Sequence, residues 1–417
     1  MGISLGFHIV FAALGVGLPA LILVAEGLSL GGDATWRALA RRWSKAFAVL
    51  FAVGAVSGTV LSFELGLLWP RFMGRFGASI GLAFTLEAFA FFLEAIFLGI
   101  YLYGWERLSP RAHFLCGVPV AVAGAASAAF VTAVNAWMNT PVAGGPLAVF
   151  RAPAAGAEIA HMLVAAYAAS GLAVASVYAV GMLRGRRDAL HRRGMACGLA
   201  LGLAASLAQP LSGDWAAKTV ARSQPAKLAA MEGQFRTEAG APLRIGGWPD
   251  ETRRQTRFAV EIPRGLSWLG YGDGAATVRG LDEFAPDAPP ARVVHVAFQL
   301  MVGIGMALAA LAVVVAFFAA RRRFPDGKWL LRAIALSGPA AFVAIEAGWT
   351  VTEVGRQPWV VQGALRTARA VTAAPGLTSG LVATLAIYGA LGGGTALVLL
   401  HLARRARSDG DTHDAQA

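Results

Sequence analysis

Nine long apolar segments constrain this chain more than any other feature of its sequence. Each is close to the roughly 20 apolar residues that a helix needs to cross a bilayer. They are residues 3–27, 46–68, 79–104, 114–138, 158–183, 195–212, 292–320, 330–353 and 379–403. With 57% hydrophobic and only 14% charged residues, a chain of 417 residues could not cover this surface in water. The sequence therefore predicts an all-α integral membrane protein with about nine transmembrane helices.

Basic residues are concentrated in every second loop between these segments. They are Arg37, Arg41, Arg42 and Lys45; Arg107 and Arg111; Arg184, Arg186, Arg187, Arg192 and Arg193; Arg321, Arg322, Arg323 and Lys328; and Arg404, Arg405 and Arg407. Because cytoplasmic loops carry the excess of Lys and Arg, the N-terminus is predicted outside and the C-terminus in the cytoplasm. Arg71 and Arg75, in an outer loop, run against this pattern. Since topology accounts for the net charge of +12, no nucleic-acid partner is expected.

One connection is much longer and more polar than the others, and its alternation places it outside the cytoplasm. Loops of this length are usually functional or disordered. Its aromatic residues argue against disorder; they are Trp215, Phe235, Trp248, Phe258 and Trp268. The predicted organisation is six transmembrane helices in residues 1–212, the extracytoplasmic loop in 213–291, three helices in 292–403, and a polar, flexible cytoplasmic tail without a chemical role in 404–417.

The seven histidines lie in different parts of the chain. His113 and His191 are assigned to basic loops, His401 lies near a helix end, and His413 lies in the tail. The other three fall within or at the edge of apolar segments near the outer surface: His8, His161 and His295. A lone histidine in a membrane helix is about as often a structural hydrogen-bonding group as a ligand. Their number favours ligands.

Candidate iron ligands converge on one outer layer. At 1.5 Å per residue, His8, His161, Met301 and Glu346 lie at similar depths on four different helices. Imidazole, thioether and, less often, carboxylate groups bind heme iron. Met301 alone would be read as core filler, so the convergence carries the heme hypothesis. No CxxCH motif is present, which predicts heme without covalent attachment.

Two helices carry paired carboxylates. Glu87 and Glu94 in the third segment, and Glu346 and Glu353 in the eighth, are each seven residues apart, nearly two turns, and therefore share a face. Stacked carboxylates in a membrane are typical of proton relays. The structural alternative pairs each one with an arginine or a backbone group. For Glu353, proton exit, a heme-propionate neighbour and a structural pair all stay open.

Seven motifs spread over nearly the whole chain resemble a known family. They are "GFHIVF" around His8, "RWSKAFAV" at 42–49, "AFFLEAIFLGIYLYGW" at 90–105, "VNAWMNTP" at 134–141, "KLAAMEGQF" at 227–235, "AFQLMVGIG" at 297–305 and "EAGWTVTEVGRQPW" at 346–359. The last is the most specific. Together they resemble subunit I of the bacterial cytochrome bd quinol oxidases, of the type with a short quinol loop.

The resemblance implies three hemes. His161 and Met301 match the axial ligands of the low-spin heme b (b558), which takes electrons from quinol. His8 and Glu346 match the residues that serve two high-spin hemes, heme b (b595) and heme d, or a heme b in place of heme d. Which of these two residues serves which heme stays open.

The resemblance also implies roles outside the ligand set. Glu87 and Glu94 match glutamates associated with the high-spin hemes and with proton delivery. Lys227 and Glu232 match the quinol-binding lysine and glutamate of the loop, whereas without the resemblance both would be solvated loop charges.

Arg356 and Gln357 follow the eighth segment and are expected at the outer surface, where they would hold heme propionates or the quinol loop. The sequence departs from the family pattern in three places. Gln299 replaces a common arginine near a heme propionate, and Phe342 replaces a tryptophan. The third-helix glutamates are often eight residues apart in the family, whereas Glu87 and Glu94 are seven apart. No departure removes a ligand.

The implied function is that of the heme-bearing subunit of a terminal quinol:oxygen oxidoreductase in the bacterial cell (inner) membrane. Quinol would be oxidised at the outer face and O2 reduced to water with cytoplasmic protons, which generates a proton-motive force without pumping. Subunit II would be the partner, with a small third subunit in some members. The alternatives are a proton-coupled secondary transporter, for which no internal repeat is visible, and a heme-binding relative without respiratory activity, suggested by Gln299.

Overall fold

The computed structural model describes the backbone of residues 1–414 and the side chains of residues 1–404. Its α-helices are α1 (Gly2–Ser29), α2 (Ala34–Leu68), α3 (Pro70–Gly104), α4 (Pro110–Asn139), α5 (Ala148–Arg151), α6 (Ala155–Leu183), α7 (Ala189–Ser223), α8 (Pro225–Glu232), α9 (Gly265–Tyr271), α10 (Ala291–Ala320), α11 (Lys328–Val354), α12 (Thr367–Ala370) and α13 (Leu377–Asp414). Within residues 1–404, nine helices are long and apolar enough to cross a membrane: α1 to α4, α6, α7, α10, α11 and α13. The predicted all-α membrane fold is confirmed. Most of the predicted tail lies outside the described side chains.

Several helices extend beyond the apolar segments that predicted them. Helix α2 begins at Ala34 rather than at 46, and α7 continues from the predicted end at 212 to Ser223. Hydropathy detects the part of a helix that contacts lipid, whereas the backbone hydrogen bonds continue into the polar layers. The early start of α2 is fixed by Asp33, whose carboxylate accepts the Thr35 N–H at 2.9 Å as an N-cap.

Three of the basic loops lie together at one end of the helix bundle, which we call the basic end. The Arg193 guanidinium, at the start of α7, bonds both Asp33 carboxylate oxygens, at 2.6 and 2.5 Å. Arg192 donates to Asp326, between α10 and α11, at 3.3 Å. These contacts join the connections α1–α2, α6–α7 and α10–α11.

The opposite end, which we call the loop end, carries the long polar connection. Residues 224–290 contain α8, α9 and six short strands that form three antiparallel pairs. The pairs are β1 (Glu238–Ala239) with β6 (Thr277–Val278), β2 (Leu243–Ile245) with β5 (Val260–Ile262), and β3 (Trp248–Asp250) with β4 (Gln255–Arg257). After α11, a further hairpin consists of β7 (Trp359–Val361) and β8 (Leu365–Arg366). The long connection is therefore ordered.

Arg71 and Arg75, which run against the charge pattern of the loops, have a structural role at the loop end. Both lie in the first turns of α3. Arg71 donates to the Arg369 carbonyl at 3.2 Å, and Arg75 donates to the Ala364 carbonyl at 2.9 Å. They hold the segment after α11 against α3.

Helices α6 and α7 pack so closely that their backbones touch. An added Cβ on Gly171 of α6 would lie 2.4 Å from the Gly202 nitrogen, and one on Gly198 would lie 2.7 Å from the Ala175 nitrogen. Gly198 and Gly202 are four residues apart and therefore share a face of α7. Small residues at this spacing allow close approach of helices in a membrane, where association depends on packing.

We expect Gly171→Ala to lower the thermal unfolding midpoint of the purified protein in detergent. Alanine favours a helix over glycine by about 1 kcal/mol, so a loss must come from overpacking, which costs about 1–3 kcal/mol. Gly303→Ala on α10 is the matched control, because an added Cβ there would meet nothing within 4 Å. Equal midpoints for the two variants would contradict the close α6–α7 contact.

Candidate functional site

His161 and Met301 lie in one group of four helices, in which α6 and α10 each pack against both α7 and α11. His161 on α6 faces α7, where its Nδ1 is 3.2 Å from the Ser212 hydroxyl. A Cβ on Gly213 would lie 3.4 Å from the His161 Cε1. Met301 on α10 faces α11, where a Cβ on Gly348 would lie 3.0 Å from its Sδ. The two side chains predicted to bind one heme therefore lie on two helices of one packed group.

His8 and Glu346 lie close to the same short stretch of α1. The His8 Nδ1 is 2.9 Å from the Ser57 hydroxyl of α2, and a Cβ on Gly58 would lie 3.1 Å from its Cε1. The Glu346 carboxylate, on α11, lies against Gly6 of α1, where a Cβ would be 3.2 Å from Oε2. Its Oε1 is buried and has no hydrogen-bond partner among the residues whose side chains the structure describes.

These four side chains fit the requirements of heme ligands. Each lies against a glycine of a neighbouring helix, so no Cβ atom crowds its end. Serine hydroxyls contact Nδ1 of His8 and of His161, the kind of hydrogen bond that orients a ligating imidazole and leaves Nε2 for a metal. The Gln209 amide nitrogen lies 3.1 Å from the His161 Nε2. The unpartnered Glu346 oxygen is consistent with a cationic partner.

A buried polar network joins α4, α6, α8 and α11 at the loop end. At its centre, the Asn139 Oδ1 accepts from Lys227 Nζ at 2.8 Å and from Arg356 at 3.2 Å. The Asn139 amide nitrogen donates to Glu158 at 2.9 Å. Arg356 also bonds Glu353 at 2.7 Å. Two carboxylates and two cations therefore balance each other, which offsets the cost of burying each charge.

The prediction that Arg356 lies at the outer surface is wrong. Its side chain is 3% exposed, because it forms hydrogen bonds with Asn139 and Glu353 beneath the loop. Glu353, whose role stayed open, also accepts from Asn135 of α4. Gln357 accepts from the Thr367 hydroxyl at 2.7 Å.

Lys227 and Glu232, at the two ends of α8, are both buried. They are therefore not solvated loop charges. Burial lowers the pKa of Lys227, and the neighbouring Glu158 carboxylate opposes this effect. Burial raises the pKa of Glu232 to about 8, and Arg244 opposes that rise. Within residues 1–404, one Glu232 oxygen, Oε2, has no hydrogen-bond partner.

A cavity of about 110 Å³ lies beside Lys227 at the α7–α8 junction. Other residues that line it are Gln224, Phe284, Asp287, Gly355 and Gln357. The Gln224 side-chain nitrogen is buried without a partner. Glu232 is not among the lining residues. Five residues along a helix turn a side chain by about 140°, so the structure does not bring Lys227 and Glu232 to one cavity.

The carboxylates of α3 face α4. The Ser127 hydroxyl donates to Glu87 at 3.4 Å, and a Cβ on Gly124 would lie 3.2 Å from the Glu94 Oε1. Glu94 is buried, and no described side chain or backbone group forms a hydrogen bond with its Oε1. The seven-residue spacing continues to Tyr101, nearer the basic end.

His113 was predicted in a loop, and that prediction is wrong. The Ser109 side chain caps α4, so His113 lies in its first turn, buried between α1 and α3. Its Nδ1 is 2.6 Å from a Glu26 carboxylate oxygen, and the Tyr101 hydroxyl donates to the other oxygen at 2.6 Å. Glu26 is the one carboxylate in the first apolar segment, a signal that could have revealed this cluster.

Sequence reasoning also missed the centre of the polar network. The "VNAWMNTP" motif had no assigned role, yet Asn135 and Asn139 project from one face of α4 into the network. Their four-residue spacing at a helix end is a usable signal. Glu158 lies three residues before the candidate ligand His161, at the start of the same helix.

Comparisons with known proteins identify the family of this chain. The family described as cytochrome bd terminal oxidase subunit I matches residues 1–407. A putative cytochrome bd menaquinol oxidase subunit I of Bacillus subtilis (strain 168) is 37% identical, over 100% of this chain and 98% of its own. The cytochrome bd-II ubiquinol oxidase subunit 1 of Escherichia coli (strain K12) is 29% identical, over 90% of this chain and 88% of its own.

A solved structure extends the agreement to the fold. The structure of bd oxidase from Geobacillus thermodenitrificans contains a chain with a TM-score of 0.91 and 38% sequence identity, covering 97% of this chain and 96% of that chain. The chain therefore belongs to the cytochrome bd terminal oxidase subunit I family.

Proposed function

We propose that this chain is the heme-bearing subunit of a terminal quinol oxidase that reduces dioxygen to water. The observation that carries the proposal is the placement of four candidate iron ligands against glycines of neighbouring helices in a chain of this family. The transporter alternative is not favoured, because the similar proteins are named as quinol oxidases. The proposed setting is a bacterial cell membrane, with subunit II as partner and a small third subunit as a possible addition.

His161 and Met301 would hold the low-spin heme b (b558). His8 and a carboxylate of α11 would serve the high-spin pair, heme b (b595) and heme d, or a heme b in its place. When bound, these hemes supply electron transfer and the chemistry of dioxygen. The chain's own contribution is orientation: Ser57 and Ser212 fix the two imidazole rings through their Nδ1 atoms.

The α11 ligand has two candidates on one helix face. Glu346 is the predicted ligand, and its unpartnered Oε1 supports that role. Glu353 is already bound by Arg356 and Asn135, but its side chain is 33% exposed and can still accept a further partner. The two carboxylates can be separated by experiment.

Quinol would bind beside Lys227, with one of its oxygens hydrogen-bonded to Nζ. The cavity of about 110 Å³ is somewhat smaller than the roughly 150 Å³ of a protein cavity that accepts benzene, so it suits part of a single ring. Glu232, at the far end of α8, would hold a proton released on quinol oxidation. Its pKa of about 8 allows it to take up and release a proton near neutral pH.

Protons for water would move along the face of α3. Glu94 and Glu87 would carry them toward the high-spin site. The pairing of Tyr101 with Glu26 and His113 extends this polar path toward the basic end. Consumption of protons from one side and release of quinol protons on the other would separate charge without a pump.

We expect His161→Ala to abolish the low-spin absorption in a reduced-minus-oxidised spectrum of the purified complex. Gly348→Ala should weaken or shift the same band, because its Cβ would lie 3.0 Å from the Met301 Sδ. Gly303→Ala, on the helix of Met301 but with open space at its Cβ, is the matched control and should leave the band unchanged. An intact low-spin spectrum in His161→Ala would contradict the assignment of His161 as a ligand of the low-spin heme.

We expect Glu346→Gln to remove one high-spin spectral component, because a neutral amide is a much poorer iron ligand than a carboxylate. Glu353→Gln should retain that component, although it breaks the ion pair with Arg356. Loss of that component in Glu353→Gln but not in Glu346→Gln would identify Glu353 as the ligand. The measurement is the heme spectrum together with the heme content of each complex.

We expect kcat for quinol oxidation to rise with pH and to level off above about pH 8, because Glu232 becomes a base as it loses its proton through that range. Glu232→Gln should lower kcat by about 100-fold or more and remove this limb of the profile. The exposed Glu283→Gln is the control in the same loop. A limb that persists in Glu232→Gln would rule out Glu232 as its origin.

A further inference from the structure

Two side chains of α10 are bound to the backbone of the long loop. His295 is 0% exposed, and both of its ring nitrogens face backbone oxygens. Its Nδ1 is 2.8 Å from the Met231 oxygen, and its Nε2 is 3.0 Å from the Gly246 oxygen. His295 therefore links the end of α8 to the turn that follows β2.

Gln299, one helical turn further along, completes the attachment. Its Oε1 accepts the Gly246 N–H at 2.9 Å, and its Nε2 donates to the Arg244 carbonyl at 3.0 Å. Both backbone polar groups of Gly246 are thus bound by side chains of α10. Gly246 and Gly247 have φ values of 66° and 104°, which other residues adopt only with strain. We call His295 and Gln299 the loop latch.

The loop latch holds both members of an electrostatic pair. Met231, bound by His295, directly precedes Glu232. Arg244, whose carbonyl is bound by Gln299, is the cation that opposes the rise that burial causes in the pKa of Glu232. The Arg244 guanidinium is held in turn by Glu261, with its Nε at 2.9 Å from the carboxylate. The backbone next to Glu232 and the backbone of Arg244 are therefore both attached to α10, through separate hydrogen bonds.

We propose that the loop latch positions Glu232 for proton uptake from quinol. This inference rests on the proposed function, in which Glu232 holds a quinol proton. Gln299 occupies the position where the family pattern has an arginine, and here its amide serves the loop. Lys227 and its cavity lie at the other end of α8, outside the reach of the latch. Release of the latch should therefore impair proton uptake while quinol binding is retained.

The test uses the intact oxidase complex and Gln299→Leu, which removes both hydrogen bonds with little change in volume. We expect kcat for quinol oxidation to fall by about 10- to 100-fold, since small misplacements of a reacting group cost that much. The KM for quinol should stay close to that of the parent protein, because Lys227 and its cavity lie at the other end of α8. Gln255→Leu, an exposed residue of β4 in the same loop, is the matched control and should behave like the parent protein.

A double-variant comparison shows whether the latch acts through Glu232. In a Glu232→Gln background, Gln299→Leu should cause no further loss of kcat. A merely structural role would raise KM together with the fall in kcat, and it would add its loss to that of Glu232→Gln. Either of those results overturns the proposal.

Two further outcomes separate this inference from the proposed function. An unchanged kcat in Gln299→Leu, with a reduced kcat in Glu232→Gln, overturns the latch and leaves the proposed function standing. An unchanged kcat in Glu232→Gln overturns the role of Glu232 itself. If Gln299→Leu fails to assemble, as judged by heme absorption, His295→Phe provides the same comparison, because it keeps an aromatic ring but has no nitrogen to face the Met231 and Gly246 oxygens.

Discussion

Close contact at glycines, where no Cβ atom separates neighbouring helices, is the constraint on which this structure depends. Apolar burial gives helices little reason to associate in a lipid bilayer, so packing must supply the attraction. Gly171, Gly198 and Gly202 bring α6 and α7 into backbone contact. The absence of a Cβ atom also matters at the candidate ligands, because Gly58 faces His8 and Gly348 faces Met301. One steric feature thus fixes both the helix bundle and its candidate heme sites.

Two groups of buried and half-buried carboxylates differ in their partners. Glu158 and Glu353 are bound by amides and cations in a balanced network around Asn139. Glu94, Glu232 and Glu346 each keep a buried carboxylate oxygen that has no hydrogen-bond partner within the part of the chain that the structure describes. An unpaired buried carboxylate is costly, and such groups concentrate where protons or cations are bound. The second group coincides with residues predicted to handle protons or bind iron.

The sequence predicted the helices well because lipid contact demands long apolar segments. The sequence also identified candidate ligands, such as His161 and Met301, that lie on helices of one packed group. It could not predict partners across helices: Arg356 was expected at the surface, and only the positions of Asn139 and Glu353 explain its burial. His113 was likewise misplaced, because its partner Glu26 is far away in sequence. Gln299 looked like a lost propionate contact, whereas its amide is bound to the loop backbone.

The attachment of the loop to α10 also determines which part of the chain can be exchanged as a unit. By connectivity, the loop ends where α10 begins, at Ala291. By hydrogen bonding, it ends at Gln299, because the turn at Gly246 takes its partners from that helix. A loop transplanted between relatives without these residues would lose the backbone contacts that shape it. The natural module is residues 224–299, and its boundary lies two residues before Met301.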